Sequence, residues 1–260
     1  MEATLGVIDV PPYATLVRAD NPGPMTLEGT NSWVLQGAAG VIVVDPGPNL
    51  PGHLDRLTSY GPVLLVLLTH GHADHADSAV ELSHRTMAPV AARDPLLCRR
   101  SEPLQDEAKL EVDGLPPVTV LYTPGHTEDS VCFLVDDPVD PGLLTGDTVL
   151  GRGSTMVAHP SGRLADYLAS LHRLSARCSA STVLLPGHGP AGGSALEALD
   201  WALAHRIDRL DQVRRALAGG AGTAEEVVAV VYADVDRALW PAAEATVHAQ
   251  LSYLADMPFT

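Results

Sequence analysis

Thr69-His70-Gly71-His72-Ala73-Asp74-His75 is the stretch from which the rest of the chain is read. It follows the apolar run Val63 to Leu68 and leads into a helical pattern, so it sits where a buried strand exits into a loop. Three imidazoles and one carboxylate crowd into positions 70–75. A loop that folds back there brings alternate side chains to one point. Imidazole nitrogen and carboxylate oxygen are the donors that zinc and similar divalent ions take. The competing reading is a polar loop that happens to be rich in histidine.

The same arrangement recurs downstream. Val118–Tyr122 runs into Thr123-Pro124-Gly125-His126-Thr127, Leu143–Thr145 into Gly146-Asp147-Thr148, and Thr182–Leu185 into Pro186-Gly187-His188-Gly189. Four apolar strands that each exit through a Gly-containing turn and deliver His or Asp point to one shared site at one rim of the sheets. None of these positions is Cys, which argues against a thiolate structural zinc site. Upstream, Val41–Val44 ends in Asp45-Pro46-Gly47-Pro48. Asp45 reads either as a turn-initiating or capping residue or as a carboxylate holding something at the sheet's edge.

The remaining pattern is coarser. Trp33–Gln36 and Val41–Val44, joined by a Gly-Ala-Ala-Gly turn, read as a hairpin. Spacing predicts helices over about 51–60, 76–84 and 164–174, strands at 90–92 and 130–135, and a charged, irregular surface connection over 93–114. From Ser194 helical spacing dominates: a long helix to about Leu217, a helix capped by Thr223 with Glu225 and Glu226 in its first turn, and a last helix from Pro241 to about Ala255. The expected organisation is a main domain over residues 1–192 and a small all-helical domain over 193–260.

With 260 residues, 46% of them apolar, the chain can bury a full core. Its formal net charge of −16 sets most of the surface against polyanions. Cys98, Cys132 and Cys178 are odd in number and form no CxxC pair, which suggests reduced thiols rather than a disulfide scaffold. Met1-Glu2-Ala3-Thr4 lacks the basic start and apolar stretch of a signal peptide. No apolar run approaches the roughly 20 residues that span a bilayer. A cytoplasmic protein with no membrane partner is expected.

Together these residues resemble the metallo-β-lactamase superfamily. His70, His72, Asp74 and His75 match its HxHxDH signature, His126, Asp147 and His188 match its three later ligand positions, and Asp45 matches its strand-end aspartate. The resemblance covers roughly residues 13–190. It implies an α/β (α+β) fold, a four-layer αββα sandwich with metals held by loops between the two sheets. It further implies that His70, His72 and His126 hold one metal, that Asp74, His75 and His188 hold a second, and that Asp147 bridges them with a hydroxide. Asp45 would orient a ligand histidine by accepting its ring N–H. Two zinc ions per chain are implied, with iron or manganese open at such N/O sites. A metal-bound hydroxide would then be the nucleophile, with Asp74 as the catalytic residue positioning it.

Gly29-Thr30-Asn31, Asp45-Pro46-Gly47 and Pro186-Gly187-His188-Gly189-Pro190 look most like the branch that contains glyoxalase II-type thioesterases and mitochondrial β-lactamase-like endoribonucleases. The first expectation is therefore hydrolysis of a small acyl substrate, a thioester of the hydroxyacylglutathione kind. The alternative is cleavage of single-stranded RNA. The tail, with His205, Arg206, Arg209, Gln212 and Thr223 to Val228, resembles the winged-helix extension of the endoribonuclease group. The chain runs only to Thr260, leaving no room for a β wing, and from Gly192 on it carries five arginines against ten acidic residues, which disfavours nucleic acid. Arg206, Arg209, Arg214 and Arg215 read either as a basic stripe or as a solvated face interleaved with Asp208 and Asp211. His205 reads as a residue reaching the metal cleft or as a packing histidine. Ser154 and Thr155, in the loop after Asp147, and Thr30 and Asn31 read as substrate contacts or as turn formers. Three lesser readings are β-lactamase action, a mononuclear-iron persulfide dioxygenase that would leave His188 without a metal role, and a binding module whose tail serves a partner or a homodimer interface.

Overall fold

Runs of β-branched residues and leucine form two five-stranded sheets in the computed structural model, which describes residues 10–256. The start at Met1–Thr4 and the end at Thr260 lie outside the described residues. The first sheet is ordered β1 (Ala14–Arg18), β2 (Asn31–Gln36), β3 (Val41–Val44), β4 (Val63–Leu67) and β5 (Val90–Ala91). The second contains β6 (Lys109–Leu110), β7 (Val118–Tyr122), β8 (Val131–Val135), β9 (Gly142–Gly146) and β10 (Val183–Pro186), again in sequence order. The helices are α1 (Pro51–Thr58), α2 (Ala73–Ala76), α3 (Ala79–Thr86), α4 (Leu164–Arg177), α5 (Ala195–Ala218), α6 (Ala224–Val231) and α7 (Trp240–Asp256).

Period-two alternation sends neighbouring residues to opposite faces. Trp33, Leu35, Ile42, Val44, Val120, Val131, Phe133 and Val135 pack in the core between the sheets. Their neighbours Val34, Val41 and Val43 pack with Leu54 and Leu57 of α1 and Leu82 of α3. Leu121, Cys132 and Leu134 pack with Leu171 of α4 and Leu199 of α5. The result is the helix–sheet–sheet–helix sandwich that the resemblance implied. Its central strands are buried on both faces, which is why they read as near-continuous apolar runs.

Two details differ from the sequence reading. The helix expected over 76–84 is two pieces, α2 and α3, with a break at Asp77-Ser78. Ser78 is pinned there: its N–H donates to Gly47 O (3.1 Å) and its hydroxyl to Pro48 O (2.6 Å), so the break serves the Asp45 loop. The connection over 93–114 contains a 3-10 turn at Pro95–Leu97 and the edge strand β6, which pairs with β7.

In the tail, α5 packs its first half against α4, and its second half forms a separate cluster with α6 and α7 through Val213, Val227, Val228 and Val247. Thr223 and Glu226 close a capping box at the start of α6. Among the described residues no strand lies beyond β10, and no helix is long and apolar enough to cross a membrane.

Two parallel pairs set the geometry of the functional rim. In β3/β4, Val44 lies opposite Leu67, which brings Asp45 beside Thr69. In β9/β10, Gly146 lies opposite Pro186, which brings Asp147 beside His188. The sheets are joined at the same rim. Val131 N–H donates to Thr69 O and Asn31 N–H to Gly187 O, both at 2.8 Å, and the Trp33 indole N–H donates to Pro186 O (3.1 Å).

His53 of α1, only 2% exposed, lies below this rim. Its Nε2 is 2.8 Å from Ser32 Oγ, and Arg56 donates to its Nδ1 at 3.1 Å. Burial, helped by the Arg56 guanidinium, lowers its pKa from 6.5 to about 4. The unfolded chain therefore holds this proton more tightly than the folded one. The stability gained from the neutral ring is complete above the unfolded value and is lost as pH falls from 6.5 through about 4. Denaturant midpoints measured across that window should fall less steeply for His53→Gln than for the wild type. Equal slopes would show that His53 does not contribute to the acid sensitivity.

Candidate metal centre

The stretch 69–75 leaves β4 and turns at once into the single turn of α2, which carries Asp74 and His75. His126 comes from the turn after β7, Asp147 from the end of β9 and His188 from the end of β10. Their donor atoms gather into two groups, His70, His72, His126 and Asp147 in one and Asp74, His75 and His188 in the other, each with all its donors within 4.8 Å of one another. Asp147 faces both. Its Oδ1 is 3.4 Å from the Nε2 atoms of His75 and His188, and its Oδ2 is 3.7 Å from His126 Nε2. Gly125, Gly146 and Gly187 leave no room for a side chain. A Cβ on Gly187 would come within 2.8 Å of both Asp147 Oδ1 and His75 Cε1.

The outer nitrogens of the buried histidines are engaged away from the cluster. Asp45 organises two of them. It adopts a left-handed backbone (φ 51°), which Asp tolerates better than most residues, and its Oδ1 accepts from Thr69 N–H at 2.8 Å. Its Oδ2 accepts from His75 Nδ1–H (2.8 Å) and from the Thr69 hydroxyl (2.7 Å). With that hydroxyl proton committed, Thr69 Oγ1 accepts from His70 Nδ1–H at 3.0 Å. His126 Nδ1–H donates to Met156 O (2.7 Å), and His188 Nδ1 faces Gly29 O at 3.3 Å. These bonds fix the tautomers so that Nε2 of all four rings points inward. His72 is exposed and turns Nδ1 inward, toward His70 and His126.

The donor set fits divalent ions. Asp147 Oδ1 is buried and, among the described residues, accepts no hydrogen bond. An anionic oxygen left that way is costly, and a cation satisfies it. Inward-facing ring nitrogens approach one another at 3.0 Å (His70/His72), 3.1 Å (His126/His72) and 3.2 Å (His75/His188). Ring nitrogens this close need a proton or a metal ion between them. Two nitrogens bound tetrahedrally at zinc's usual bond length stand about 3.4 Å apart, close to the spacing seen. Charge is strongly coupled here. Burial opposes ionisation of Asp147, yet His75, His188 and His126 hold its carboxyl well below the usual range. Burial likewise opposes charge on His75, and the Asp147 and Asp45 carboxylates outweigh it, raising its pKa well above the usual value. At His70 burial dominates and keeps the ring neutral.

The other candidate residues divide. The Thr30 hydroxyl is 3.5 Å from Asp74 Oδ2 and is itself held by Asn21 at 2.9 Å. Asn31 is fully buried and clamps the His188 loop, donating to Pro186 O and Gly189 O at 3.1 and 2.9 Å. Thr155 is buried and its hydroxyl donates to Asp147 O, whereas Ser154 is exposed. His205 is stacked on Trp201 (centroids 5.0 Å apart, planes within 6°) and makes no hydrogen bond to the metal cluster among the described residues. The basic stripe is not formed. Arg206 is buried against Thr155 O, and Arg209 spends its guanidinium on Val231 O, Gln212 and the Tyr232 ring, leaving only Arg214 and Arg215 exposed. Sequence reasoning put Arg206 on the helix surface, and it assigned no role to Thr69 or to the carbonyls of Met156 and Gly29. Any residue can supply a carbonyl, so those two positions carried no signal.

On the side of His72 the centre opens into a cleft of about 780 Å³ lined by Arg93, Gln105, Tyr122, Thr127 and Asp129, among others. Comparison with known proteins shows the family. The metallo-beta-lactamase superfamily profile matches residues 25–188, and the beta-lactamase associated winged helix domain matches residues 223–256. The chain is 30% identical to the lactamase-like protein vrtG of Penicillium aethiopicum, over 92% of this chain and 77% of that protein. It is 28% identical to the atrochrysone carboxyl ACP thioesterase dmxR1 of Cryptosporiopsis sp. (strain 8999), over 88% and 74% respectively. A crystal structure of a metallo-beta-lactamase family protein from Thermus thermophilus superposes with a TM-score of 0.79 at 25% identity, covering 94% of each chain.

Asn accepts the left-handed backbone as readily as Asp, so Asp45→Asn removes the carboxylate without straining the turn. Metal affinity, read by competition with a chromophoric chelator, should fall by about 10–100-fold. Unchanged affinity would show that the Asp45 bonds to Thr69 and His75 are irrelevant to the centre.

Proposed function

This chain belongs to the metallo-β-lactamase superfamily and is a metal-dependent hydrolase, and from that premise we propose that it uses two zinc ions to hydrolyse a thioester of a small acyl substrate. The observation that carries the two-metal part is the placement of Asp147, with one oxygen toward His75 and His188 and the other toward His126. A single-iron dioxygenase would leave His188 idle, yet His188 Nε2 lies 3.1 Å from Asp74 and 3.2 Å from His75, within a complete second donor group. The N/O donor set accepts iron or manganese as well as zinc, so metal analysis of the purified protein belongs to the test.

When bound, such ions bring the pKa of water down to about 7 and polarise an acyl oxygen. The chain's own groups supply orientation and proton handling. Asp74 Oδ2 lies within the second donor group, 3.1 Å from His188 Nε2 and 3.5 Å from the Thr30 hydroxyl, which leaves Oδ1 to orient the attacking water and take its proton. Burial opposes ionisation of Asp74, and the His188 hydrogen bond offsets it, so the group is anionic at neutral pH. Arg93 and Tyr122 in the cleft offer a guanidinium stacked over a ring (5.0 Å) against which the substrate lies as it approaches.

The thioester part is supported by the relative named as a carrier-protein thioesterase. The RNA-cleaving alternative loses its main structural support with the tail stripe, because Arg206 and Arg209 are turned inward. A net charge of −16 also opposes a polyanion.

Purified protein assayed on S-lactoylglutathione, on an acyl-carrier thioester and on single-stranded RNA should hydrolyse a thioester and spare the RNA. Asp74→Ala should lower that activity by about 100-fold or more. RNA cleavage that Asp74→Ala abolishes would replace the thioesterase reading. Thioester turnover equal in the wild type and the variant would remove Asp74 from the reaction.

A further inference from the structure

Arg206 is an unusual residue to find in the tail's first helix. It is 2% exposed and, among the described residues, forms no ion pair with a carboxylate. A buried guanidinium without a counter-charge is expensive, and a methionine of similar length would fill the space without that cost. Its position offers a reason. The guanidinium donates Nη2–H to Thr155 O and lies over the Tyr167 ring, 5.0 Å from its centroid. Both neighbours act on the loop that leaves β9. The Thr155 hydroxyl donates to Asp147 O, and the Tyr167 hydroxyl donates to Thr148 O at 2.8 Å. The backbone carbonyls of the candidate bridging residue and of its successor are thus each held from outside, and Arg206 rests on both of the groups that hold them. The same loop reaches the other half of the centre, where Gly151 N–H donates to His188 O at 2.9 Å.

We propose that Arg206 is a positioning residue for Asp147. Through Thr155 and Tyr167 it fixes the loop 147–155, and the tail thereby becomes part of the metal centre's outer framework. The charge matters because a charged donor makes a stronger bond to a carbonyl than a neutral one, and the planar fork can bond Thr155 while lying flat on Tyr167. Lysine can keep the charge but not the stacked plane. The inference rests on the two-metal reading of the centre.

The test uses cobalt(II) as the probe ion and the full chain. Wild type, Arg206→Met, Arg206→Lys and Thr155→Val are titrated with Co²⁺. Affinity and the visible d–d bands are recorded, together with the melting of metal-free protein. Arg215→Met, an exposed change on the same helix, is the control. Arg206→Met and Thr155→Val should each weaken Co²⁺ binding by about 10–100-fold and shift the d–d bands. The losses in the Arg206→Met/Thr155→Val double variant should be less than additive, because Thr155 lies on one of the two routes from Arg206. Arg206→Lys should recover only part of the affinity. A purely structural arginine would lower the melting temperature of the metal-free protein while leaving Co²⁺ affinity and spectrum at wild-type values, and that result overturns the proposal. Two ions in the wild type and two equally tight ions in Thr155→Val would overturn it alone, leaving the two-metal reading intact. A wild type that takes up no cobalt would overturn both.

Discussion

The carboxylate of Asp45 is the interaction on which the centre depends. It ends β3 in a left-handed turn and accepts three hydrogen bonds, from the Thr69 backbone, the Thr69 hydroxyl and His75. Through Thr69 it also sets the ring of His70. One buried anion thereby fixes the exit of the neighbouring strand and orients a donor in each of the two groups. The parallel pairing of β3 with β4 makes this possible, because only then do both strands end at the same rim. The break between α2 and α3 belongs to the same device, since Ser78 bonds to the Pro48 carbonyl just past Asp45.

Around that anchor the sandwich acts as a frame whose apolar core lies apart from the donors. Its three sheet-lined apolar clusters are formed by residues whose burial follows strand alternation and owes nothing to the donors. The donors are strung on turns at the frame's edge, where backbone strain and polar crowding are tolerated. Stability and chemistry are thus carried by different residues. The loop after β9 couples them, tied on one side to Asp147 and on the other to a buried arginine in the tail.

Much of this was legible in the sequence because the signals are local. Val63–Leu68, Val118–Tyr122, Leu143–Thr145 and Thr182–Leu185 read as strands from their own composition, and the Gly-containing turns after them marked the donors. The four layers followed from resemblance, and the structure shows them. The features that were missed depend on packing between distant segments. The exposure of an arginine on an amphipathic helix cannot be read from helical spacing when aspartates interleave with it, so Arg206 looked like part of a surface stripe although Tyr167 and Thr155 enclose it. His205, its neighbour, looked nearer the centre than it is and pairs instead with Trp201 one turn earlier. Main-chain acceptors such as Met156 O are invisible in principle, because every residue has one.

The way β10 is fastened has a consequence for how the centre comes into being. Its exit, which carries His188, is held by Asn31 and Trp33 at the start of β2, and Asn31 bonds a carbonyl 155 residues away in sequence. Closing so long a loop costs entropy before any contact rewards it, and nonlocal pairings of this kind form late. As the chain is synthesised, His70, His72 and His75 are available long before Asp147 and His188 exist. An ion met at that stage finds only the donors of the first loop. The complete pair of groups requires the two ends of the main sandwich to have met, so the second donor group is a product of tertiary structure and not of any one loop.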